Sequence, residues 1–120
     1  MIDLSIGEVE SHFADIIWQN EPISSGDLVK LCSEKLEWKK STTYTVLRRL
    51  CDKGIFNNTD GTVTSVISKK EFYAMQSEKF VNETFDGSLP AFIAAFTDRQ
   101  TLSDKDIEKI IKLIESHKKG

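Results

Sequence analysis

The sequence predicts a mainly α chain with a small β-hairpin, and three observations carry that expectation. Helix-start signals recur, at Ser5 with Glu8, Ser24 with Asp27, Ser68 with Glu71 and Ser103 with Asp106. Each pair sets a hydroxyl and a carboxylate three residues apart, where they can satisfy free backbone N–H groups of a first turn. Apolar residues then follow at three- and four-residue spacing. One Asp60-Gly61 pair between two β-branched segments supplies a hairpin turn, since both of its positions need positive φ.

The first helix follows Ser5, turns Val9, Phe13, Ile16 and Ile17 inward, and ends near Asn20 before Glu21-Pro22. Ser24 opens a second helix with Leu28, Leu31 and Cys32 inward, ending near Leu36. The third starts after Trp38 with Ser41 as its expected N-cap. Its Thr43, Val46, Leu47 and Leu50 form a core stripe, and Gly54 ends it as a C′ residue. The segments Ile55–Asn58 and Thr62–Ile67 make the hairpin. Ser68 caps a fourth helix running to about Phe85, whose apolar residues spread over more than one face. Asp86-Gly87 interrupts it. Leu89, Phe92, Ile93 and Phe96 then form a short amphipathic helix, and Ile107, Ile110, Ile111 and Ile114 stripe the last one. Three helices followed by a hairpin is the order of a winged helix-turn-helix, here followed by a helical module expected to dimerise.

The chain has 120 residues, 39% hydrophobic and 29% charged, which suits a soluble globular protein of one small domain, or of a small domain with a short appended module. No apolar run approaches the roughly 20 residues that cross a bilayer, so no membrane insertion is expected. Met1-Ile2-Asp3-Leu4 lacks the basic and apolar character of a signal peptide. Cys32 and Cys51 form no CxxC, so neither a disulfide framework nor a zinc site is indicated, and a cytoplasmic location follows. No cofactor is expected.

The net charge of −3 argues at first against nucleic acid. The distribution argues otherwise: of seven Lys/Arg in residues 1–68, five are Lys39, Lys40, Arg48, Arg49 and Lys53, opposed within that stretch only by Asp52. Phosphate binding depends on the field at the contact surface rather than on the total. The competing reading is an ordinary solvated helix face.

A major groove admits one helix, whose outer face must offer short polar groups to base edges and cations to the flanking phosphates. The third helix has both. Ser41, Thr42, Tyr44 and Thr45 are the base-reading candidates, and Lys39, Lys40, Arg48 and Arg49 the phosphate candidates, with Tyr44 able to serve in either role. The hairpin tip Asn58–Thr62 carries one acid and no cation, so its contribution should be small.

These residues resemble the penicillinase and methicillin-resistance repressor family, with its copper-responsive relatives (the BlaI/MecI/CopY type). The resemblance rests on Glu8, Val9, Glu10 and the Ile16-Ile17-Trp18 triplet, then Trp38, Thr42, Thr45, Arg49-Leu50 and Lys53-Gly54. Gly87-Ser88-Leu89 and Leu102–Glu108 extend it through the C-terminal portion. It implies a homodimer on double-stranded palindromic operators of the TACA…TGTA kind, upstream of β-lactam or other resistance genes, or of metal-export genes. It also implies, in the antibiotic-sensing branch, a membrane metallopeptidase sensor whose signal leads to cleavage in the dimerisation module. The family's cleaved bond is commonly Asn-Phe; the matching Ala95-Phe96 keeps the Phe and loses the Asn. The copper branch carries paired CxC motifs near its C-terminus, whereas residues 116–120 hold no cysteine.

Residues 1–70 are thus expected to bind DNA and residues 71–120 to dimerise. The latter segment is too short to enclose a core, yet it offers three apolar stripes that need a partner surface. Its candidates are Phe80, Phe85, Leu89, Phe92, Ile93, Phe96, Ile107, Ile110, Ile111 and Ile114. The competing reading folds these helices back onto the same chain. An enzyme is not expected: His12 and His117 belong to no ligand cluster, and no nucleophile motif or phosphate-cradling glycine loop is present. The rival to a DNA reader is a winged helix used for protein–protein contact, and such modules usually lack clustered cations on the third helix. Cys32 and Cys51 lie near apolar stripes, which favours structural thiols over redox sensors.

Overall fold

A computed structural model describes residues 2–118; the first residue and last two residues of the expected segments 1–70 and 71–120 lie outside it. In chain order the elements are α1 (Glu8–Asn20), β1 (Ile23–Ser24), α2 (Ser25–Leu36), α3 (Lys40–Asp52), β2 (Phe56–Thr59) and β3 (Thr62–Ser65). Then come α4 (Lys69–Thr84), α5 (Leu89–Thr97) and α6 (Asp104–Ser116). The chain forms two compact units, Met1–Ser77 and Glu78–Gly120, which divide within α4.

The first unit is a winged helix. The α1 face of Phe13, Ile16 and Ile17 meets Leu28 of α2, Val46, Leu47 and Leu50 of α3, and Phe56 and Val63 of the sheet in one buried core. Asp60 and Gly61, both at positive φ, turn β2 back into β3, as the Asp-Gly pair predicts. The sheet holds a third strand that local pattern did not reveal. The two-residue β1 pairs antiparallel with β3 (Ile23 opposite Val63, Ser24 opposite Thr62), giving the order β1-β3-β2. Trp18 closes this core toward α4: its indole N–H donates to the Ile67 carbonyl at 3.0 Å, and its ring lies 5.3 Å from Phe56 and 5.7 Å from Phe72.

Two caps differ from expectation. Helix α1 begins at Glu8 after Gly7, and the Gly7 N–H donates to Glu10 rather than Ser5 pairing with Glu8. This later frame leaves Val9 58% exposed rather than inward. Helix α3 begins at Lys40, with Lys39 as its N-cap, so Ser41 falls inside the first turn. The caps expected at Ser24, Ser68 and Ser103 are observed, each hydroxyl accepting an N–H at 3.1 Å.

In the second unit, Asp86 and Gly87 at positive φ end the α4 segment, and Ser88 caps α5. Phe80, Phe85 and Phe92 form a small edge-to-face ring cluster with centroids 5.6–6.1 Å apart. Not one described residue of this unit is buried. Phe80, Leu89, Phe96, Ile111 and Ile114 are each about half exposed, and Leu113, outside the predicted set, is 62% exposed. No helix among the described residues is long and apolar enough to cross a membrane.

Candidate nucleic-acid interface

The inward stripe of α3 (Thr43, Val46, Leu47, Leu50) is buried, which fixes the opposite face outward. Ser41, Thr42, Thr45, Arg48 and Arg49 are exposed there, with Lys39 and Lys40 exposed at the N-terminal end. Seven of the eight predicted contact residues therefore lie on solvent. The Thr45 hydroxyl donates to the Ser41 carbonyl at 2.9 Å, which fixes its rotamer and leaves its methyl and lone pairs outward. Among the described residues no carboxylate lies within ion-pair distance of Lys39, Lys40 or Arg48.

Tyr44 is placed differently. It is half-buried against the core, and its hydroxyl donates to Ser25 Oγ at 3.2 Å. The Ser25 N–H in turn donates to the Gly61 carbonyl at 2.8 Å. Helix α3, the α2 N-terminus and the β2–β3 turn are thereby joined through Ser25, a residue the sequence did not single out; its neighbour Ser24 carried the visible capping signal.

The C-terminal cations of the cluster are also placed differently from their sequence neighbours. Arg49 Nη1 lies 3.6 Å and Lys53 Nζ 3.9 Å from the carboxylate of Glu10 in α1. Lys53 further donates to the Ser5 carbonyl, and its own carbonyl accepts from the Asp3 N–H at 2.9 Å. The run of five cations thus divides into an open part (Lys39, Lys40, Arg48) and a part facing an acid (Arg49, Lys53).

A groove of about 370 Å³ runs between α3 and β2, lined by Tyr44, Leu47, Arg48, Cys51, Asn57 and Asn58. Burial pushes the Cys51 thiol pKa up, and the Asp52 carboxylate adds to the rise. Cys32 is buried in the core, and burial raises its thiol too against a hydrogen bond with Thr43. Both are poor nucleophiles near neutrality. Among the described residues no group of three or more His, Cys, Asp or Glu is arranged to hold a metal ion.

The predicted scissile pair, Ala95 and Phe96, lies inside α5 with both residues exposed. Of the predicted dimerisation residues, Phe85, Phe92 and Ile110 are half-buried and the other seven are exposed.

The penicillinase repressor family model matches residues 6–116. The chain is 27% identical over 117 residues to the penicillinase repressor of Bacillus licheniformis, covering 94% of this chain and 91% of that protein. It is 22% identical over 113 residues to the methicillin resistance regulatory protein MecI of Staphylococcus aureus (strain Mu50 / ATCC 700699), covering 91% and 92%. The MecI protein of Mammaliicoccus sciuri is 21% identical over the same length.

Proposed function

The chain belongs to the penicillinase repressor family, a family of transcriptional repressors, and from that premise we propose that it occludes promoters by binding palindromic operator DNA as a homodimer. The observation that carries the proposal is the outer face of α3. Ser41, Thr42 and Thr45 stand exposed beside Lys39, Lys40 and Arg48, which have no acidic partner among the described residues. Base edges accept and donate to the first group, and phosphates neutralise the second. Residues 1–70 supply this reading surface and residues 71–120 the dimer.

Dimerisation is supported by the second unit, whose apolar side chains find no interior of their own. A two-fold partner would cover them and set two reading helices on successive major-groove faces, which is what makes a palindrome readable. The targets are β-lactam or other resistance genes, and the site of action is the cytoplasm. Release from DNA by a membrane metallopeptidase sensor system would fall at Ala95–Phe96. That bond is helical in α5, and peptidases hold substrates extended, so α5 must unwind before it is cut.

The test is a fluorescence-anisotropy titration against the palindromes upstream of the chain's own gene, beside a scrambled duplex, at two salt concentrations. Saturable, salt-sensitive binding at two protomers per palindrome, with clear preference over the scrambled duplex, is the expected result. Weak and equal binding to both duplexes overturns the repressor reading in favour of a protein-interaction module.

A further inference from the structure

The geometry points to Glu10 as a residue that sets DNA affinity: it opposes Arg49 and Lys53 at the edge of the outer face of α3 and so weakens phosphate-driven binding to any duplex. This inference rests on the DNA-binding function proposed above.

Glu10 lies at the third position of α1, remote in sequence from the cations it faces. Its Oε1 accepts from the Gly7 N–H at 3.1 Å and lies 3.9 Å from Lys53 Nζ. Its Oε2 lies 3.6 Å from Arg49 Nη1, is itself buried, and accepts no hydrogen bond from any described residue. The side chain is only 17% exposed, against 54% for Arg49. The two partners are therefore unequal. The carboxylate is tethered to the first turn of α1 and cannot turn away, whereas the guanidinium can swing outward.

A phosphate approaching Arg49 must compete with a fixed carboxylate for it. Phosphate contacts supply nearly all of sequence-independent affinity, while base contacts supply discrimination. An acid that cancels cations at the margin and leaves Lys39, Lys40 and Arg48 open at the base-reading end lowers the first contribution more than the second. Affinity for every duplex falls as a result while the base-reading contacts keep their discrimination, so less of the protein is held on competing sites in the genome.

The experiment measures binding of the full chain to an operator palindrome and to a random duplex across a salt series. Glu10→Gln keeps the side chain's size and the acceptor for Gly7 while removing the charge. Glu10→Gln should tighten binding to the random duplex and steepen its salt dependence by about 0.9 per restored phosphate contact, a further loss of about 3.5-fold across a fourfold rise in salt. Operator binding should tighten by a similar factor, and adding Arg49→Ala should remove most of the gain on both duplexes.

A second comparison does not depend on how Glu10→Gln folds. Since Arg49 is already opposed, Arg49→Gln should weaken random-duplex binding less than Arg48→Gln, which has no acidic partner. Unchanged or weaker random-duplex binding by a folded Glu10→Gln, or equal losses for the two arginine variants, overturns the inference alone. A wild type that binds neither duplex overturns it together with the function on which it rests.

Discussion

The Tyr44 hydroxyl donates a 3.2 Å hydrogen bond to Ser25 Oγ, and this contact ties α3 to the start of α2. The ring is half-buried against the core and its hydroxyl proton is committed to Ser25, which ties the Tyr44 side chain down. Tyr44→Phe keeps the ring packing and removes only the hydrogen bond. A neutral hydrogen bond contributes about 0.5–1.5 kcal/mol, and here the lower half of that range applies because Ser25 keeps access to water. Urea unfolding should show a small fall in midpoint at unchanged slope, with the operator preference retained. Loss of preference without loss of stability would assign Tyr44 to base reading.

Thr45 and Arg48 lie about one helical turn apart, both exposed on α3. Thr45 offers a methyl and an acceptor in a fixed rotamer, so Thr45→Ala should weaken the operator complex about fivefold, near the low end for one base contact, and leave random DNA almost unchanged. Arg48→Ala removes a cation with no acidic partner. It should weaken both complexes alike and reduce the salt slope by about one. Anisotropy titrations at three salt concentrations separate the two patterns; equal losses on both duplexes for the Thr45 variant would refute its reading role.

The elements were legible because their signals are local. The caps at Ser24, Ser68 and Ser103, the Asp60-Gly61 turn and the Asp86-Gly87 break each depend on residues within a few positions. For the first helix the pattern pointed to Ser5 with Glu8; the structure instead uses Gly7 with Glu10, an acid that also faces Arg49 and Lys53. Strand β1 was hidden because two residues carry no period, and it exists only through pairing with β3 about forty positions later. The exposed face of α3 followed from its buried stripe, but the pinning of Tyr44 and the pairing of Arg49 are tertiary contacts with Ser25 and Glu10 that no spacing rule encodes.

The two thiols should differ in the order of their modification. Burial raises both pKa values, so the thiolate fraction at neutral pH is smaller than for a free cysteine, and reaction rates should climb as pH rises toward each raised pKa. Cys51, half-buried at the α3–β2 groove, should react slowly with iodoacetamide in the native protein. Cys32, fully buried, should stay unmodified until the first unit unfolds. Mass spectrometry of peptides from a timed alkylation in native buffer checks both. Rapid labelling of Cys32 would mean that the core around Phe13 and Leu50 opens far more readily than its packing implies.

The proposed dimer turns on α6, whose Ile107, Ile111 and Ile114 are exposed on an otherwise charged helix. If a second protomer covers them, each half-exposed isoleucine contributes about 1 kcal/mol, roughly half the figure for a fully exposed side chain, and a two-fold axis counts every substitution twice. Ile111→Asp also leaves a carboxylate to be desolvated in each copy, so it should weaken association at least a hundredfold, visible as a monomer by sedimentation at micromolar protein. Trp18 and Trp38 both lie in the first unit, so tryptophan fluorescence reports that unit alone and should be unchanged. Operator affinity should nevertheless fall steeply, because the second half-site contact loses its effective concentration when the protomers part. Random-duplex binding per protomer should fall far less. A variant that stays dimeric, or a wild type that sediments as a monomer, would instead place the cover for this face elsewhere and leave a single reading helix to account for operator preference.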